Sequence, residues 1–277
     1  MLTAMLSGAA LAVGGLVMQT VFSNPLADPS ILGVSSGATL GSAIAMLLLG
    51  GSLTAGTLHL TGYLLTVFAS FAGAMLIIAI LAAFSAFMSS RVMLLVTGVM
   101  ISFAASSVIS LLNFFSTAQG VRSFVIWGLG DFSGVTLERL PVYSLLLLLP
   151  LLASLLMSKP LNALLLGEDY AANLGIGVKS VRTLLLVITG WLTAVVTSLC
   201  GPISFIGMAV PHAARLAMRT ANHKLLLPSS ILCGADLALF CNLLAHLPGE
   251  HGTLPINSLT PLMGVPIVLY IMCRRKS

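Results

Sequence analysis

His246, Glu250 and His251 are the nearest this sequence comes to a metal-binding group. They lie in a loop rich in Pro and Gly, without the helical HExxH spacing that puts two imidazoles on one face beside a carboxylate base. The reading is an exposed polar loop, and no metal ligand set is assigned. Gly177-Val178-Lys179-Ser180 lacks the GxxxxGK[ST] spacing whose backbone amides cradle phosphates, so no nucleotide site is assigned to this chain. Asp236 is the one acid well inside an apolar run. An ion-coupled transporter would need ionisable groups near the bilayer midplane. A single Asp beside Gly234 and Ala235 reads instead as a satisfied group in helix packing. Cys200, Cys233, Cys241 and Cys273 have no CxxC spacing and sit in or beside apolar runs. They read as small buried side chains rather than a disulfide framework or a metal site. No catalytic residue and no cofactor are assigned.

The elements that position these residues follow from hydropathy. Apolar residues make up 58% of the 277 residues and charged residues 7%, with a mean hydropathy of +1.11. A soluble domain keeps far more charge, because its surface faces water. A helix crosses the hydrocarbon core with about 20 mostly apolar residues, which leaves room for roughly nine or ten crossings. The fold class is therefore all-α, a polytopic transmembrane bundle forming one domain over residues 1–277, with no space for a soluble catalytic domain. Predicted spans are 2–22, 31–50, 62–87, 92–115, 140–158, 180–200, 203–219, 225–246 and 257–273. The breaks carry Pro, Gly or charge. No basic segment precedes the first apolar run and further spans follow it, so it does not read as a cleaved signal peptide.

The net charge of +5 does not point to nucleic acid, because the basic residues sit at helix ends. With Arg274-Arg275-Lys276 placed in the cytoplasm, Arg91, Lys159, Lys179, Arg182, Arg215, Arg219 and Lys224 also fall inside, and only Arg122 and Arg139 fall outside. That partition is the positive-inside bias. Span 2–22, a Pro turn and the Gly-rich span 31–50 resemble span 180–200, the Gly201-Pro202 turn and span 203–219. The traced topology puts these units in opposite orientations, the pattern of an inverted repeat that often encloses a transport pathway.

Four segments stand out from generic membrane helix. In NPLADPSILGVSSGA at 24–38, two prolines bracket an acidic turn, and Asp28-Pro29 suits a helix start. LGEDYAANLGIGV at 166–178 is too short to span and too apolar for a free linker. Glu168 and Asp169 favour a helix N-terminus, and Gly175 suits a left-handed C-terminal cap. This predicts a short cytoplasmic helix offering Ala171, Ala172 and Leu174. A helix that merely rests on lipid would be basic, and this one carries two acids. In GPISFIGMAVPHAAR at 201–215, Pro211 kinks the helix, and His212 and Arg215 lie a turn apart near the cytoplasmic end as a hydrogen-bonded His and a snorkelling Arg. LPINSLTPLMGVPI at 254–267 is a last span interrupted by Pro and Gly.

Together these strings, in order along almost the whole chain, resemble the FecCD family of ABC permeases, which import ferric siderophores, haem and vitamin B12. Trp127-Gly128-Leu129-Gly130 is similar to the family's external Trp- and Gly-containing segment. The resemblance implies a ten-helix permease in the bacterial inner membrane, paired with a second copy or a paralogue. It implies two cytoplasmic ATPase subunits, which use the ATP, and an external substrate-binding protein. Segment 161–178 becomes the coupling segment, with Gly167, Glu168, Asp169, Ala171, Ala172, Leu174 and Gly175 as its contact residues. Asn24, Pro25, Asp28, Pro29, Gly33, Ser35, Ser36 and Gly37 become motif and pathway residues, as do Gly201, Pro202, Gly207, Pro211, His212 and Arg215. The default cargo is a ferric siderophore or related chelate. Relative to the family, the first helix and the basic external segment before residue 2 are missing, so the expectation is that Met1 is a late start. The 246–256 loop is also longer and carries Glu250 with no Arg.

Overall fold

The computed structural model describes residues 1–50, 52–55, 58–87, 90–249 and 252–274; Glu250 and His251 lie outside them. The architecture is the helical bundle that hydropathy demands. Its helices are α1 (Leu2–Val21), α2 (Val34–Ala43, extended by a π turn at Ile44–Leu48), α3 (Tyr63–Phe87), α4 (Arg91–Phe115), α5 (Ala118–Gly128) and α6 (Leu140–Leu156). They continue with α7 (Ser158–Leu165), α8 (Glu168–Asn173), α9 (Val178–Cys200), α10 (Ile206–Met218), α11 (His223–Ala245) and α12 (Ile256–Arg274). A short antiparallel hairpin, Ser52–Ala55 with Leu58–Thr61, joins α2 to α3.

All nine predicted apolar segments are helical, but they do not cross alike. Among the described residues five helices are long and apolar enough to span alone, and α6 with α7, bent by 54°, forms a sixth. Segments 31–50 and 203–219 are shorter helices, because the motif turns before them take up apolar residues that hydropathy alone assigns to a span. Pro29 packs on Gly14, and Gly207 on Gly15, both halfway along α1. The chain therefore folds back into the bundle at 22–33 and at 201–205, and α2 and α10 start at mid-depth. Each start is a left-handed residue, Gly33 at φ 85° and Phe205 at φ 70°.

Non-helical backbone at that depth must find its own partners. Between α1 and α2 the amides of Asn24, Ala27, Ile31 and Gly33 bond to the carbonyls of Gln19, Asn24, Asp28 and Ser30 in turn. The side chains of Asn24 and Asp28 accept from the amides of Leu26 and Ser30 at 3.0 and 2.9 Å.

α1 is the centre of the bundle. Of its apolar stretch 89% is buried within the chain, against 17% of the corresponding stretch of α4. It packs on α6, α7, α9, α10 and α11. In lipid, apolar surface gives no drive for helices to associate, so close backbone approach carries the packing. Gly8 meets the backbone of Gly234 and the methyl of Ala238 on α11, and Gly15 meets the backbone of Gly207 on α10. Gly37 and Gly41 meet Gly73 and Ala69 on α3 in the same way.

Polar contacts divide the bundle into two ends. One end gathers Gln19, Pro25, Ser85, Asn162, Glu168, Arg182, His212, Arg215 and Asn222. The other gathers Tyr63, Gly128, Arg139, Leu199, Ser204 and Asn257. The first end holds basic residues expected inside, and the second holds Arg139, expected outside.

Two outcomes test this arrangement. Gly15→Val should lower stability by at least about 2 kcal/mol through overpacking, read as a lower unfolding temperature in detergent; an unchanged temperature rejects the close crossing of α1 and α10. In sealed cells a membrane-impermeant thiol reagent should label single cysteines placed at 122–136 and spare those at 160–176 and 219–224. Efficient labelling within 160–176 would invert the topology.

Candidate functional site

The first and third motifs meet against α1. The Asp28 carboxylate accepts from the Ser30 amide at 2.9 Å and the Ser30 hydroxyl at 2.6 Å. It lies against the first turn of α10, where a methyl on Gly207 would strike it. At the end of the same contact nearer Arg215, His212 Nε2 bonds to the Pro25 carbonyl at 2.8 Å, and Arg215 donates to Gln19 Oε1 at 2.6 Å. Gln19 in turn donates to the Met208 carbonyl at 3.2 Å. These bonds join α10 to α1 and to the turn that follows it. A recess of about 450 Å³ opens there, with Gln19, Thr20, Ser23, Pro25, His212 and Arg215 in its wall beside Leu165 of α7.

Of the remaining first-motif residues, Gly33 is buried against Gly98 and Ser102 of α4, and Gly37 against α3. Ser35 and Ser36 are half-buried. Pro211 is buried within α10.

At the other end the third and fourth motifs meet the Trp127–Gly130 segment. Gly201 at φ 77° lies against the Trp127 carbonyl and Gly130, and Gly130 against the Pro202 carbonyl. Asn257 accepts from the Ser204 amide at 3.2 Å, and its own amide donates to the Leu129 carbonyl at 3.0 Å. A second recess of about 390 Å³, lined by Tyr63, Thr66, Thr117, Gln119, Ser123 and Trp127 among others, lies at this end. The Arg139 guanidinium stacks 4.4 Å from the centre of the Tyr63 ring.

The predicted cytoplasmic segment forms two short helices. α8 begins at Glu168 and Asp169 and is closed by Gly175 at φ 80°, whose amide returns to the Ala172 carbonyl at 2.9 Å. Asp169, Tyr170, Ala172 and Leu174 are exposed, with Gly167 and Glu168 partly so. Ala171 is a correction: it is fully buried. Successive helical side chains are 100° apart, so Ala171 and Ala172 do not share a face. α7 is pinned from below. The Asn162 side chain accepts from the His223 amide at 2.8 Å and donates to Asn222 Oδ1 at 2.8 Å, while His223 Nε2 bonds to Thr20 at 2.8 Å.

Asp236 is also placed differently from the expectation. It is exposed on α11, on the same side as Leu225, Leu232, Phe240 and Leu243, rather than packed between helices. Sequence reasoning missed Gln19, Asn162, Asn257 and the inward turn of Arg182, which is buried against Ser85. The signal available for Gln19 was an amide in the last turn of an otherwise apolar run; Asn257 and Asn162 sit inside or beside strings already singled out.

The FecCD transport family matches residues 1–274. The vitamin B12 import system permease protein BtuC of Klebsiella pneumoniae is 38% identical over 276 residues, covering 99% of this chain and 80% of that protein. Its counterpart in Salmonella typhimurium is 37% identical over 274 residues, covering 99% and 81%. A solved structure described as an inward-facing metal-chelate type ABC transporter superposes with a TM-score of 0.88 at 31% identity, covering 99% of this chain and 84% of that one. With its helical bundle, paired re-entrant turns and projecting α8, the chain belongs to the FecCD transport family: it is a multi-pass membrane permease subunit of the ABC-importer type, a transport component whose ATP is hydrolysed in a separate subunit.

Proposed function

We propose that this chain forms, with a second permease copy, the inner-membrane pathway for a ferric siderophore or related metal chelate, and that ATPase subunits drive it through α7 and α8. The observation that carries the coupling half is α8 itself. It is a capped acidic helix, held at one end by Glu168 and at the other by Gly175, with Tyr170, Ala172 and Leu174 turned away from the bundle. Leu174 is 59% exposed. An apolar contact surface flanked by acids suits a protein partner better than an anionic membrane surface.

The pathway half rests on α4. This helix is apolar nearly all round, and little of it is buried by its own chain, leaving Met100, Phe103, Leu111, Phe114 and Phe115 outward. Thr97, Ser106, Ser107 and Ser110 interrupt that apolar surface. A face of this mixed kind fits a protein neighbour and a polar pathway, where lipid alone would suit an unbroken apolar stripe. An external substrate-binding protein would deliver cargo at the end that carries Arg122, Arg139 and the Tyr63 recess.

The named relatives favour a second cargo, vitamin B12, which is itself a cobalt chelate. An ion-coupled mechanism gains no support, since Asp236 lies on an outer helix face and away from both recesses.

Uptake into proteoliposomes holding the permease, ATPase and binding protein separates the cargoes. Radio-iron loaded on a hydroxamate siderophore is expected to accumulate with ATP; accumulation of cyanocobalamin alone would replace the siderophore reading. Ala172→Arg is expected to leave the permease inserted, to release the ATPase on co-purification and to lower uptake by at least about tenfold, the range of a lost interface anchor. Unchanged ATPase binding with unchanged uptake would remove α8 from the interface.

A further inference from the structure

α8 has six residues and a single buried side chain, Ala171. Helices this short have too few internal bonds to stand alone in water, so the groups that tie α8 down decide where it points. At its C-terminal end the tie is backbone: Ile176 donates to the Ala171 carbonyl at 3.1 Å. At its N-terminal end a side chain from another helix also holds it. Arg182, in the second turn of α9, is 2% exposed, and its Nη1 meets Glu168 Oε1 at 3.4 Å.

The same guanidinium reaches a third helix. Arg182 Nε donates to Ser85 Oγ at 3.3 Å and Nη2 donates to the Ser85 carbonyl at 3.2 Å. Thr183 also donates to Ser85 Oγ at 3.2 Å. Ser85 stands in the last turn of α3, where helix carbonyls lack an intrahelical partner and a cation is favoured. One planar, five-donor group thus closes the end of α3, anchors in α9 and holds the first turn of α8. Burying this charge is poor value as stabilisation, since an apolar residue of like size would serve as well or better. A rigid three-way joint at the root of the projecting helix has a use that stability does not explain.

We propose that Arg182 is a positioning residue for energy coupling, the clasp through which a displacement of α8 is passed to α3 and α9. This rests on the reading of α8 as the ATPase contact. Bound to Glu168 and to the end of α3 at once, it makes α8 a lever fixed to the bundle. Without it α8 swings on its backbone connections, and ATP is hydrolysed with little transport.

The test uses the full complex of permease, ATPase and binding protein in proteoliposomes. The reading is chelate taken up per ATP hydrolysed, with a ferric hydroxamate siderophore or cyanocobalamin as the probe, whichever the unmodified complex carries. Arg182→Lys keeps the charge but not the fork, and should lower this ratio by roughly tenfold while the ATPase co-purifies and hydrolyses ATP within about twofold of normal, a coupling loss in the usual allosteric range. Ser85→Ala removes only the hydroxyl that Arg182 Nε meets on α3, far from the ATPase contact, and should lower the ratio in the same direction while leaving ATPase binding intact. It exchanges one small side chain for another, so it folds even where a change at the buried Arg182 does not. A normal ratio in either folded variant overturns the clasp. Loss of the ATPase from Ser85→Ala also overturns it, by making this joint part of docking rather than of transmission. Failure of the underlying reading shows separately, as ATPase binding that survives Ala172→Arg.

Discussion

The bundle depends on the contact of α1 with α10 and α11 through paired glycines. In lipid there is no apolar surface to be gained by bringing helices together, so attraction has to come from backbone and side-chain atoms in close contact. Gly8 on Gly234 and Gly15 on Gly207 bring backbone directly against backbone, leaving room for nothing larger than an alanine methyl beside the α1–α11 crossing. Because Gly207 belongs to the first turn of α10, the Gly15 contact also fixes the depth at which α10 starts. The left-handed turn at Phe205, the approach of Asp28 and the Arg215–Gln19 bond all follow from that one placement.

The two ends of the bundle are then secured differently. At the end that carries Arg139, backbone of the Trp127–Gly130 segment, the Gly201 turn and Asn257 interlock, with the Tyr63–Arg139 stack beside them. At the end that carries Arg182 and Arg215 the ties are side chains that cross between helices: Asn162 with His223 and Asn222, Arg182 with Ser85 and Glu168, and Arg215 with Gln19. Backbone ties hold shape, whereas single side-chain ties bridge elements that can move relative to one another.

Much of this was legible from residue order. The long spans are set by hydropathy and lie within a few residues of where it puts them: 92–115 against Arg91–Phe115, and 225–246 against His223–Ala245. The acids and glycine of α8 announce both its ends, because helix polarity and left-handed caps are local physics. The starts of α2 and α10 were not legible. Ala27, Ile31, Leu32, Ile203 and Phe205 are as apolar as any helix residue, and hydropathy cannot distinguish a buried turn from a buried helix. Ala171 was misplaced because composition names the residues of a short helix without its rotation. Arg182 counted only as a positive charge near a helix end; that it turns inward, onto Ser85, is a fact of packing between segments almost a hundred residues apart.

The depth of α10 has an electrostatic consequence. A helix that starts halfway through a membrane points the positive end of its dipole into a region of low dielectric, where an uncompensated end is costly. Asp28 lies against that end and comes from the turn between α1 and α2. Its carboxyl oxygens are engaged by Ser30 and the first turn of α10, and it lies apart from the walls of both recesses. Among the described residues, the walls of those recesses hold amides, hydroxyls, aromatic rings and two basic side chains. The carboxyl group at the start of α10 is thus set apart from the polar surface that the two recesses expose.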